Sequence, residues 1–134
     1  MIPEPVMAVQ GARDAGDGDF GAILTHEGII DIVIRGLWTP EQVDRFFDAT
    51  EQLRLSARAE HGRVLSLVIV QTVQPPAVAL HVRNRTVTIK QPGDRNAFVV
   101  ASFLSKLQIG RLASNDSSGL FTDPLAARRW LLEA

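Results

Sequence analysis

Three histidines, His26, His61 and His81, are the residues of this chain best suited to proton transfer or metal ligation. None stands three or four residues from another, the spacing at which a helix presents two imidazoles to one ion, so no metal site is expected. Asp44 and Asp48 do share a helical face. Glu41, Arg45, Glu51 and Arg54 surround them, however, in the mixed-charge pattern of a solvated surface rather than one that sets two carboxyl pKa values apart. Cysteine and tyrosine are absent and no serine lies in a nucleophile elbow. The residues therefore predict no catalytic group and no cofactor; an enzyme working through His81 or a neighbouring arginine is the outside alternative.

Binding chemistry is better represented. Arg83, Arg85, Lys90 and Arg95 form a local concentration of positive charge relieved only by Asp94. It reads first as a solvated helix face and second as a seat for an acidic partner or lipid head group. Gly16-Asp17-Gly18-Asp19-Phe20-Gly21 has the spacing of a dinucleotide-binding loop, but it precedes a strand instead of following one, and its aspartates would repel a pyrophosphate. Those aspartates and Asp14 lack the bidentate glutamate that would complete a calcium loop.

The elements that must position these residues follow from the hydropathy pattern. Arg63 to Gln71 is an almost unbroken apolar run rich in β-branched residues, which predicts a strand covered on both faces. Before it, Ala22 to His26 and Ile29 to Arg35 flank Glu27-Gly28 and predict an antiparallel hairpin, with Ile30, Ile32 and Ile34 on one face and Asp31 and Arg35 on the other. Thr39-Pro40-Glu41-Gln42 is a helix start with cap, proline and capping-box glutamine in place. Val43, Phe46, Phe47, Thr50, Leu53 and Ala57 then form one apolar face, and the helix stops near His61-Gly62.

After Pro75-Pro76 a second helix is predicted, although Thr86 to Ile89 alone would suit a strand. Pro92-Gly93-Asp94 is a turn and Ala97 to Ala101 a second buried strand. Phe103, Leu104, Leu107 and Leu112 suit a short helix, Ser114 to Gly119 a loop, and Leu120-Phe121-Thr122 a very short strand. Asp123-Pro124 caps a last helix that docks through Ala126, Ala127, Trp130 and Leu131. Residues 1–20 are too poor in apolar side chains to offset the entropy of ordering them and are read as a mobile tail, in which Met7 to Gln10 could add an edge strand.

With 134 residues and 46% hydrophobic content, the chain is long enough for one domain, taken as 21–134, with its own core. A net charge of −1 gives no field for steering toward nucleic acid. Arginine outnumbers lysine twelve to two, which reads as genome composition rather than ligand recognition. With neither a basic-then-apolar leader nor a long apolar span, a cytoplasmic location and no membrane span are expected. The alternation of strand and helix predicts an α/β fold, a mostly parallel sheet of about four strand-helix units preceded by an antiparallel hairpin.

This layout resembles the SpoIIAA-like group of small bacterial proteins, which includes STAS domains and the lipid-carrying Sec14 type. The resemblance rests on Gly36-Leu37-Trp38 before the capped helix, Val64 to Val70, Ala97 to Ser102, and Leu120-Phe121-Thr122-Asp123 running into Ala127-Arg128-Arg129-Trp130-Leu131. It implies a superhelix of strand-helix units with a binding or regulatory role: docking of a protein partner or of a second copy, or carriage of a small apolar or lipid-like ligand. Asp116-Ser117-Ser118-Gly119-Leu120 spells the serine-phosphorylation motif of anti-sigma antagonists, but it falls too late in the chain. The matching position follows Val70. There Gln71, Thr72 and Gln74 are the expected site, at the carboxyl end of the central strand, with Thr72 as the phosphoacceptor and Arg83 and Arg85 as further contacts.

Overall fold

The computed structural model describes residues 7–10, 18–101 and 117–133. Among them run β1 (Met7–Gln10), β2 (Asp19–Leu24), β3 (Ile29–Arg35), α1 (Pro40–His61), β4 (Leu65–Val70), α2 (Pro76–Ile89), β5 (Arg95–Val100), β6 (Ser118–Phe121) and α3 (Pro124–Leu132). The strands form one sheet in sequence order, antiparallel from β1 to β3 and parallel from β3 to β6. The predicted α/β class and its mostly parallel sheet are therefore present.

Local chemistry accounts for the sharpest boundaries. The Thr39 hydroxyl accepts from the Gln42 N–H at 3.3 Å, and the Gln42 side-chain oxygen accepts from the Thr39 N–H at 2.9 Å. This reciprocal cap satisfies two amides that the first turn of α1 would leave unpaired. At the other end Gly62 adopts φ +77° and its N–H donates to the Arg58 carbonyl at 2.9 Å. The hairpin turn requires glycine twice over. Gly28 has φ +87°, and a β-carbon there would stand 2.8 Å from the His61 ring.

The sheet is covered on both faces. On one side Ile30, Ile32, Ile34 and Val68 meet Val43, Phe46, Phe47 and Leu53 of α1. Phe20, Trp38, Phe46 and Phe47 form a continuous aromatic cluster there, with Phe20 and Phe46 edge-to-face at 4.9 Å. On the other side Ile29, Leu65, Leu67, Ala97 and Val99 pack against Ala127 and Leu131 of α3. Arg128 ties α3 to the hairpin, reaching both oxygens of Asp31 at 2.7 and 2.8 Å and Glu27 at 2.9 Å. Strand β4 thus has apolar neighbours above and below, as its unbroken hydropathy implies.

Several expectations need correction. Strand β2 starts at Asp19, not Ala22, because Phe20 is a core residue and the Asp19 carboxylate pairs with Arg35 across the hairpin at 2.7 Å. The edge strand that Met7 to Gln10 offered is present as β1, while Asp19 and Phe20, read with the tail, belong to β2. Strand β6 starts at Ser118, inside the predicted loop, since the Asn96 N–H donates to the Ser117 carbonyl at 2.8 Å and starts the parallel ladder there. The helix predicted around Phe103 to Leu112 lies outside the described residues.

Helix α2 is the loosest of the described helices. Val78 is its only buried residue, and it rests chiefly on α1 instead of lying flat on the strands. Asp44 on α1 holds it by one oxygen, 2.8 Å from His81 Nε2 and 2.7 Å from Arg85 Nη1. The hydrogen bond with His81, and then the one from Arg85, hold the Asp44 carboxyl below its usual range against a partial loss of hydration. Arg85 also lies over the Phe47 ring at 5.1 Å.

Candidate functional site

The carboxyl end of β4, where Gln71, Thr72 and Gln74 were expected to form a site, is occupied by internal hydrogen bonds. The Thr72 hydroxyl accepts from the Gly36 N–H at 3.0 Å. The Gln74 side-chain oxygen accepts from the Trp38 N–H at 2.8 Å, while its nitrogen donates to the Gly36 carbonyl at 2.7 Å. Gln71 donates its backbone N–H to the Ile34 carbonyl at 3.0 Å and exposes its side chain. Thr72 and Gln74 thus fasten the loop between β3 and α1, whose polar backbone would otherwise lack partners. Gln74→Ala is expected to lower stability by about 2 kcal/mol by leaving the Trp38 N–H and Gly36 carbonyl unpaired. A urea-unfolding midpoint within error of wild type would mean that water satisfies both groups instead.

The four cations grouped in sequence are spread by the fold. Arg85 turns inward to Asp44, with Asp48 3.7 Å away. Arg95 points to the opposite face, its guanidinium 3.6 Å above the Trp130 ring and donating to the Trp130 carbonyl at 2.8 Å. Lys90 meets the Ser117 hydroxyl, and Arg83 is exposed. His26 and His61 are exposed and distant in role from His81. Among the described residues no group of three His, Asp or Glu side chains could hold a metal ion, and no helix is long and apolar enough to cross a membrane.

A different place has the character of a binding site. Between α1, α2 and strands β3 to β5 lies a partly open cavity of about 90 Å³. Its walls are Ile30, Ile32 and Ile34 of β3, Phe46 and Phe47 of α1, Val82 and Ile89 of α2, and Val68 and Phe98 of the sheet centre. Among the described residues α2 leans chiefly on α1 rather than on the strands, and the cavity lies in the space between them. Its polar end lies at the amino ends of β4 and β5, opposite to the end that the sequence indicated.

That polar end is built by register. Ile30, Ser66, Asn96 and Ser118 stand abreast across β3 to β6, and Ser66 and Asn96 line the cavity. Neither the Ser66 hydroxyl nor the Asn96 amide has a hydrogen-bond partner among the described residues. Above them the helices supply Thr50, Arg54 and Arg58 from α1 and Thr86 and Lys90 from the end of α2. Arg58 is neutralised: Nη1 and Nη2 donate to the two oxygens of Asp94 at 3.1 and 2.8 Å. Arg54 is not. Its Nη1 donates to the Thr50 hydroxyl at 2.6 Å and its Nη2 to the Phe47 carbonyl at 2.8 Å, with no carboxylate in ion-pairing distance among the described residues.

Both cations without a carboxylate feel the cavity. Burial lowers the Arg54 pKa, with only partial relief from Glu51, and burial lowers that of Lys90 against the pull of Asp94. Asp94 is itself buried and accepts from the Val64 N–H at 2.9 Å and the Gln91 N–H at 3.0 Å as well as from Arg58. Burial would raise its pKa, but the bonds from Arg58, Val64 and Gln91 together outweigh it and hold the carboxyl below its usual range. The signal for this site in the sequence is Ser66, a polar interruption of a buried strand, and Asn96, which stands just ahead of the next apolar run and pairs with Ser66 in register. No family model, curated protein or solved structure matches the chain, so nothing outside its own geometry assigns the cavity a ligand.

Proposed function

We propose that this domain is a binding module rather than an enzyme, and that it carries a small apolar ligand in the cavity between α1, α2 and the sheet. The observation that carries this reading is a cavity of about 90 Å³ with apolar walls and one polar end, roofed by a helix with a single buried residue. An apolar pocket with a few convergent polar groups is the usual form of a small-molecule site. A loosely packed α2 gives such a ligand a way in, because segments with few buried apolar contacts open at low cost. The sequence layout that resembles SpoIIAA-like domains would agree with a binding role.

The test is a titration with 1-pentanol followed by methyl NMR. Shifts should concentrate on Ile32, Val68, Val82 and Ile89. Ser66→Leu, which places a larger apolar side chain on the cavity floor, should abolish them while keeping or raising the unfolding temperature, since it fills empty space. Absence of shifts in the wild-type protein, or equal shifts in Ser66→Leu, would defeat the proposal. Native mass spectrometry of freshly purified protein gives a second readout, in which an added mass released by denaturation would identify a carried ligand directly.

A further inference from the structure

The chemistry of the cavity's polar end narrows the class of ligand. A neutral apolar guest would need no cation, yet Arg54 and Lys90 both reach this end and neither has a carboxylate in ion-pairing distance among the described residues. Of the five N–H groups on a guanidinium, Arg54 commits one from each terminal nitrogen, and an ammonium has three donors of which Lys90 uses one on Ser117. The Ser66 hydroxyl and Asn96 amide face the same space without a protein partner and can also donate. Donors thus exceed acceptors, and with Arg58 cancelled by Asp94 the residual charge is positive. Such a set matches an acceptor-only group, which an ionised carboxylate is.

We infer that the ligand is a short aliphatic carboxylate, its chain against Ile32, Val68 and Val82 and its head among Arg54, Lys90, Ser66 and Asn96. The inference rests on the carrier reading above. With about 90 Å³ the cavity is small, which favours the short-chain members of this class. In a partly dehydrated site the charge-assisted bonds to such a head are stronger than neutral ones.

The experiment compares pentanoate with 1-pentanol, which has the same chain and no charge, by methyl and amide NMR on the intact protein. Pentanoate should bind at least tenfold more tightly, with shifts centred on Ser66, Asn96 and the cavity methyls, and the preference should shrink as salt is added. Lys90→Met should remove most of that preference, bringing pentanoate and 1-pentanol to similar affinities. Arg54→Gln should do the same, and Lys90→Met decides the matter if loss of the Thr50 and Phe47 contacts unfolds the Arg54 variant. Equal binding of the two probes would overturn the carboxylate inference and leave the cavity reading standing. Binding of neither would overturn both. Pentanoate shifts centred on exposed Arg83 instead of the cavity would also overturn it.

Discussion

Replacing Asp94 with alanine should destabilise the protein by about 3 to 5 kcal/mol, the range for removing one partner of a buried charge pair. The size of the effect follows from how many groups depend on this one carboxylate. Arg58 on α1, the Val64 N–H just before β4 and the Gln91 N–H after α2 all donate to it. Alanine would leave a guanidinium without its counter-charge and a buried amide without an acceptor, each costly in a site shielded from water. For a domain of this length the loss corresponds to a fall in unfolding temperature of roughly 10 to 20 °C. A fall of less than a few degrees would mean that water replaces the carboxylate and that the joint is not structural.

The same group sets the direction of an acid effect. The folded-state pKa of Asp94 is depressed, so the stability it contributes is fully present above the unfolded carboxyl value, about 3.9, and is lost as pH falls through the folded value. Wild type and Asp94→Asn should therefore differ most near neutrality and converge under strongly acidic conditions. Urea unfolding of both proteins across that range checks the sign, and a gap that widens toward acid would contradict it.

Much of the architecture was legible because it is written in local or periodic signals. Thr39 to Gln42 carries its own hydrogen-bonding partners within four residues, and Gly28 occupies a φ that few other residues adopt. The unbroken run through Val68 announces a strand with neighbours on both faces, which is where the sheet puts it. Burial of Phe20 was not legible in the same way. Its neighbours are glycine and aspartate, and the partners that recruit it, Trp38 and Phe46, lie well away in the sequence.

The candidate site was less legible still, and for a physical reason. Arg83, Arg85, Lys90 and Arg95 are close in the chain, but the rotation of a helix and the alternation of a strand send them to solvent, to α1, to Ser117 and to the far face of the sheet. Proximity in sequence does not by itself make a shared surface. Gln71, Thr72 and Gln74 were chosen because open α/β sheets commonly bind at their carboxyl ends, yet here Thr72 and Gln74 are engaged by the backbone of the loop between β3 and α1. The cavity lies where α2 rests on α1 instead of on the strands, and Asp44 joins those two helices through His81 and Arg85, residues 37 and 41 positions away. No window of sequence contains that geometry.

Phe46 joins the stability of the fold to the size of its cavity, and Phe46→Ala should affect both. The ring packs edge-to-face against Phe20, Trp38 and Phe47 and also forms part of the cavity wall. Truncation removes its dispersion contacts and adds a void that rigid neighbours only partly close, at an expected cost of about 3 to 5 kcal/mol. The void would merge with the existing space of about 90 Å³, so the variant should bind a flat apolar ring more tightly than the wild type does. Benzene is a suitable probe: because it binds the folded state alone, it should raise the unfolding temperature of Phe46→Ala by several degrees and that of the wild type by much less. Equal stabilisation of both would mean that the wild-type cavity already admits a ring. Stabilisation of neither would mean that α2 settles onto the sheet when the ring is removed, and that the cavity is held open by Phe46 itself.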